Sequence, residues 1–152
     1  MPASERTDRP SVIVAALGAA LLIAESVAAR ACRDALFLSS FPATELPKVM
    51  LASAAVGLPL VLFVSRAVAR FGPAGVIPAG VALSGGLHAL EWSLLERAPH
   101  AAVILLYVHA SLAGAIAVSG FWSIVNERFD PHTVRRVAGS LAVSSAAGGL
   151  VG

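Results

Sequence analysis

The chain of 152 residues is 57% hydrophobic and 13% charged, and its mean hydropathy is +0.82. Soluble domains are about 45–50% apolar and about 25% charged, so this composition excludes an ordinary soluble domain and indicates the lipid bilayer as solvent. The basic residues behind the net charge of +2 are spread over short polar segments, which argues against a nucleic-acid partner. The single Cys32 cannot form an internal disulfide.

Apolar segments long enough to cross a bilayer, which takes about 20 residues, recur along the chain. After a polar cytoplasmic tail over residues 1–10, Pro10 suits the start of a first long helix that continues through a charged stretch. The predicted helices cover about 11–41, 48–68, 74–95, 101–125 and 131–152. The sequence therefore predicts an all-α membrane protein, a polytopic bundle with four complete transmembrane helices and the start of a fifth.

The last predicted helix has Asp130 as its N-cap and Pro131 in its first turn. It becomes apolar and stops within the segment SSAAGGLVG. Because polar residues normally flank a membrane span, we expect the chain to be the N-terminal part of a longer protein, whose C-terminal half would be its partner.

The distribution of lysine and arginine predicts the orientation, because basic residues are retained on the cytoplasmic side. With the N-terminus inside, the outer loops hold only Lys48 and Arg97. The cytoplasmic segments hold Arg6, Arg9, Arg66, Arg70, Arg128, Arg135 and Arg136. We therefore expect a multi-pass protein of the inner (plasma) membrane with a cytoplasmic N-terminus.

Small side chains are dense in the second half of the chain, which permits close helix contacts in lipid and favours a bundle over isolated anchors. They are Ala110, Ser111, Gly114, Ala115, Ser119, Gly120 and the glycines from Gly139 to Gly149.

Four ionisable residues fall within the first predicted helix: Glu25, Arg30, Arg33 and Asp34. Each costs about 2.5–3.5 kcal/mol at the centre of a span, so they should face protein or water. Arg30 and Arg33 are three residues apart on one face and suit a phosphate or carboxylate. Two structural readings stay open: the helix ends near Ala29 and leaves these charges in an outer loop, or Arg30 and Asp34 only neutralise each other.

Two histidines and a glutamate lie in the third and fourth predicted helices, where a proton relay or a metal pair is conceivable. His88 and Glu91 are one turn apart, and His109 follows in the next helix. No HExxH spacing accompanies them, so packing is the favoured role and no metal site is predicted. His109 and Glu25 stay candidates for coupling or gating. Nucleotide-binding and hydrolase motifs are also absent from the sequence, which predicts no enzyme and no cofactor.

Two stretches carry a family resemblance: ARACRDALFLSSF at 29–41 and GFWSIVNERFDPHTVRRVAGSLAVSSAAGGLVG at 120–152. They resemble the bacterial relatives of the ATP/ADP translocase, or nucleotide transporter, family of the major facilitator superfamily. Arg30, Arg33 and Asp34 match the first-helix pattern of that family. The resemblance implies that Arg33 binds the phosphates of the exchanged nucleotide.

The second motif matches at Phe121, Trp122, Asn126 and Glu127. The resemblance implies that these residues lie in the cytoplasmic loop before the fifth helix, with a structural or gating role. Family members carry an acidic residue in the fourth helix, where this chain has His109, Ala110 and Ser111.

The functional expectation is a secondary transporter that exchanges nucleotides or another organic anion by alternating access. The resemblance implies about twelve helices in two halves around a site near the bilayer midplane. The alternative is a non-transporting membrane module that anchors or regulates an attached soluble domain.

Overall fold

The computed structural model describes residues 3–129 and 131–152, and their side chains except at 3–8, 131, 132 and 136. These residues form five α-helices and one short 3-10 turn. The helices are α1 (Ala3–Ser40), α2 (Leu46–Phe71), α3 (Pro73–Leu95), α4 (Pro99–Arg128) and α5 (Pro131–Val151), with the 3-10 turn at Ala43–Glu45.

Four of the helices are long and apolar enough to cross a membrane, at Arg9–Ser40, Ala43–Phe71, Pro73–Leu95 and Pro99–Arg128. A shorter apolar helix, Val137–Val151, follows. Large apolar side chains such as Leu51, Leu58 and Phe63 on α2 are mostly exposed in the isolated chain, as lipid-facing residues must be. The predicted all-helical, multi-pass membrane class is confirmed.

The beginning of α1 differs from the sequence-based prediction. Residues 1–10 were expected to be a tail, but the helix begins at Ala3 and contains Pro10. Pro10 removes only one backbone hydrogen bond, the one that its missing N–H would donate. The predicted N-cap Asp130 lies outside the described residues, as do the side chains of Arg6 and Arg136.

The chain divides into two compact units, one formed by residues 29–120 and the other by 1–28 with 121–152. In the first unit, α2 and α3 are joined by Gly72, whose φ of 77° is a conformation that glycine adopts without a steric penalty. The core of this unit consists of Phe37, Val49, Val103 and Tyr107.

The second unit packs α1 against α5 around Ala19, Val125, Phe129, Val137 and Leu141. In this unit, α1 and α5 meet through small residues. A Cβ added to Gly148 would collide with the backbone of Ala20, and one added to Gly152 would collide with that of Ala24. Both pairs repeat at a spacing of four residues, which is the small-xxx-small pattern of close membrane-helix contacts.

Candidate functional site

Arg33 lies within α1, and its guanidinium is held by three contacts in the 29–120 unit. Its Nε donates to Asp34 Oδ1 at 2.9 Å, and its Nη1 donates to Ser111 Oγ on α4 at 2.7 Å. The guanidinium carbon also lies 4.6 Å from the centre of the Tyr107 ring, which is a cation–π contact. Because Ser111 donates its hydroxyl proton to the Tyr107 carbonyl, its lone pairs face Arg33. The guanidinium is therefore fixed in position.

The hydrogen-bonding capacity of Arg33 is not filled by these contacts. A guanidinium has five N–H donors, and Asp34 and Ser111 accept one each. The other three have no acceptor within the described part of the chain. The Arg33 side chain as a whole is only 15% exposed, but its unbonded guanidinium nitrogen is not among the fully buried atoms without a partner. These donors are therefore accessible to water or to an anion.

The other predicted substrate residues are arranged differently from the expectation. The helix continues past Ala29 to Ser40, so the charges are helical and do not lie in a loop. Asp34 pairs with Arg33, not with Arg30 as the four-residue spacing suggested. The α4 neighbours Tyr107 and Ser111 hold Arg33 in reach of Asp34, which the spacing within α1 does not capture.

Arg30 and Glu25 are both exposed in the isolated chain. Neither forms an ion pair with any residue that the structure describes. Together with Arg33 and Asp34, these residues give the exit half of α1 two positive and two negative charges, so this stretch has no net formal charge. Asp34 is paired with Arg33, which leaves Arg30 as the arginine of this stretch without a described ion pair.

A second polar cluster joins α3 to α4. Glu91 Oε2 lies 2.9 Å from His88 Nδ1, and Glu91 Oε1 lies 2.8 Å from His109 Nδ1. His109 Nε2 in turn lies 2.9 Å from Ser84 Oγ. The two imidazole rings are 4.6 Å apart. All four side chains belong to helices that are long and apolar enough to cross a membrane, and their contacts join them into one polar network.

The carboxylate of Glu91 is the centre of this network, and its side chain is only 4% exposed. An ionised carboxylate only accepts, so both imidazoles donate from Nδ1. In neutral His109, Nε2 then accepts the hydroxyl proton of Ser84. His109, which the sequence analysis named for coupling or gating, is thus fixed at both nitrogens.

Asn126 and Glu127 were expected in a loop after the fourth helix. They instead lie in the last turns of α4, which continues to Arg128. Val125 within these turns and Phe129 directly after them are buried, which stabilises the end of the helix. Both side chains are exposed. Asn126 and Glu127 belong to the unit of residues 1–28 and 121–152, whereas Arg33 belongs to the 29–120 unit.

Sequence reasoning missed three partners: Ser84, Tyr107 and Ser111. Serine and tyrosine in a membrane helix carry little signal by themselves. One signal was available, because the short turn between α3 and α4 sets residues at similar distances from that turn side by side. Ser84 and His109 meet this condition, because Ser84 lies 11 residues before the end of α3 at Leu95 and His109 lies 10 residues after the start of α4 at Pro99.

These features define a polytopic helical membrane protein with an arginine site on α1 and a histidine–glutamate cluster between α3 and α4. No family model, curated protein or solved structure matches the chain.

Proposed function

We propose that this chain is the N-terminal part of a secondary transporter of the major facilitator superfamily, similar to the ATP/ADP translocase family, and that Arg33 binds its anionic solute. The observation that carries the proposal is the Arg33 guanidinium. It lies within a membrane-spanning helix, is mostly buried, and keeps three N–H donors without a described acceptor.

The chemistry of this site supports an anion. An arginine inside a span is costly and is normally retained for function. Its planar fork matches the paired oxygens of phosphate and carboxylate. Asp34 accepts from Nε and Ser111 accepts from Nη1, so the plane of the guanidinium is oriented before any solute arrives, and little conformational entropy is lost on binding.

Nucleotides come first among the candidate solutes because Arg30, Arg33 and Asp34 match the first-helix motif of the resembled family. A nucleotide carries several negative charges, and Arg30 is one turn from Arg33 and has no described ion pair. Under this proposal, Arg33 contacts a phosphate group directly and Arg30 adds a long-range attraction. The remaining half of the transporter would complete the binding site.

The experiment is exchange of labelled ATP and ADP by proteoliposomes that contain the full-length protein. Loss of a charge-assisted hydrogen bond costs about 1.5–3 kcal/mol, and tenfold corresponds to about 1.4 kcal/mol. Arg33→Ala should therefore lower the exchange rate at limiting substrate by at least about tenfold. Arg66→Ala is the matched control, because Arg66 is exposed near the end of α2 and should leave exchange unchanged.

A panel of other organic anions, including a sugar phosphate and a dicarboxylate, tests whether the protein transports an anion other than a nucleotide. Exchange of one of these but not of nucleotides would contradict the nucleotide assignment and retain the transporter. Failure of every anion with folded protein would overturn transport in favour of the alternative, a non-transporting module that anchors or regulates a soluble domain.

A further inference from the structure

We propose that His88, Glu91 and His109 form a binding site for a divalent transition-metal ion, with Zn²⁺ as the best-fitting ion. The three residues each offer one ligand atom, and these atoms all lie within 4.8 Å of one another. The proposal is independent of the anion site, because it uses none of the residues that contact Arg33.

The donor set fits zinc. Two imidazole nitrogens and one carboxylate oxygen are a common set of three protein ligands for Zn²⁺, with a fourth position left for water or another donor. Metal–ligand bonds of about 2.0–2.2 Å and tetrahedral angles require ligand atoms somewhat more than 3 Å apart. The Nδ1–oxygen pairs are at 2.8 and 2.9 Å, and the three ligand atoms lie within 4.8 Å of one another, so the side chains must rotate to surround one ion.

The charge of the cluster also favours a cation. Glu91 is buried inside a span, and its described partners are the two histidines, with no lysine or arginine bonded to it. Neutral imidazoles leave the carboxylate with a full negative charge in an apolar surrounding, which is costly. A divalent cation would replace the two hydrogen bonds of the Glu91 carboxylate with a stronger electrostatic attraction to the carboxylate itself.

Metal binding releases no net proton from the cluster. When the ion takes Nδ1 of each histidine, the proton of that nitrogen moves to Nε2, so each imidazole stays neutral and no proton is lost. For His109, Ser84 then rotates its hydroxyl and accepts the new Nε2–H across the same 2.9 Å contact. Metal-bound histidines normally donate their second N–H to such a partner, which orients the ring.

His88 is the most exposed of the three ligands in the isolated chain. Its side chain is 40% exposed in the 29–120 unit, whereas those of His109 and Glu91 are almost entirely enclosed. The first contact of an ion would therefore be with His88, and the two enclosed ligands would complete the coordination. Once bound, the ion would connect α3 to α4.

The test measures metal binding to the full-length protein, purified through a tag without histidines and freed of metal with a chelator. One equivalent of Zn²⁺ should remain after gel filtration, and Co²⁺ should give the visible absorption of a tetrahedral site. His109→Gln should abolish both signals. His88→Gln, which alters the more exposed ligand and preserves the Glu91–His109 bond, should weaken Co²⁺ binding by at least about tenfold.

The matched control is His100→Gln, because His100 is exposed at the start of α4 and contacts only the Phe41 ring edge among described aromatic rings. It should bind metal as the unsubstituted protein does. The proposal is overturned if folded protein retains no stoichiometric metal, or if His88→Gln and His109→Gln bind it unchanged. Neither result depends on whether the protein transports an anion.

Discussion

The two polar sites differ in how their charged groups are compensated. Arg33 has one carboxylate and one hydroxyl as partners and keeps unused donors, whereas both carboxylate oxygens of Glu91 are occupied by imidazoles. The unused donors of Arg33 suit a transient ligand, whereas the hydrogen bonds of Glu91 hold α3 and α4 together. The unused donors of Arg33 therefore support the anion site proposed there.

The Glu91→Gln variant tests the importance of the satisfied network for stability. The amide has one acceptor, so it cannot accept from both Nδ1–H groups, and its NH₂ would face a donor. With metal removed by a chelator, we expect the free energy of unfolding in mixed-detergent titration to fall by about 1–3 kcal/mol.

The control for this stability measurement is Glu96→Gln. Glu96 is exposed at the end of α3 and lacks a described ion pair. It undergoes the same change of charge without breaking the network. Equal stability of the two variants would contradict a structural role for the Glu91 hydrogen bonds.

The helices were predictable from the sequence to a greater extent than their contacts. Hydropathy and length predict four spans, because a bilayer imposes both on any helix that crosses it. Helix ends at glycine or proline, such as the turn at Gly72, were also predictable, because they depend on the backbone conformation that these residues favour. The Arg33–Ser111 bond could not be predicted, because it depends on the rotation of α1 against α4, and dense small residues permit several such rotations.

At the level of helix pairs, Gly148→Ala tests the close contact between α5 and α1. A Cβ at this position would collide with the Ala20 carbonyl, which belongs to the backbone and cannot rotate away. The two helices must separate, and we expect the free energy of unfolding to fall by about 1–3 kcal/mol.

Gly139→Ala is the comparison on the same helix, because a Cβ there has no neighbour within 4 Å. It should leave stability unchanged or raise it slightly through helix propensity. If both variants unfold alike, the contact between Gly148 and Ala20 is not a close one.

For the whole molecule, the orientation in the membrane decides which side each site faces. With a cytoplasmic N-terminus, α3 runs outward and α4 inward. His88 precedes the end of α3 at Leu95 by seven residues, or about 10 Å along the axis. The histidine–glutamate cluster would then lie in the outer half of the bilayer.

Topology reporters test this orientation directly. Alkaline phosphatase, which is active only outside the cytoplasm, should be active when fused after Arg97 and inactive when fused after Arg70. The physical reason is the retention of basic residues inside. The reverse pattern of activity would mean that the N-terminus is outside.

The central claim is that the space facing Arg33 is an aqueous path for an anion, and thiol labelling at Ser111 tests it most directly. Ser111→Cys keeps the size of the side chain and leaves Arg33 intact, in full-length protein whose Cys32 and any further cysteines are replaced by serine. Ser53→Cys is the control, because Ser53 is buried and bonded to its own helix at Val49. We predict that a membrane-impermeant thiol reagent labels position 111 but not 53, and that ATP slows the labelling. Folded protein that resists labelling at both positions would contradict the claim.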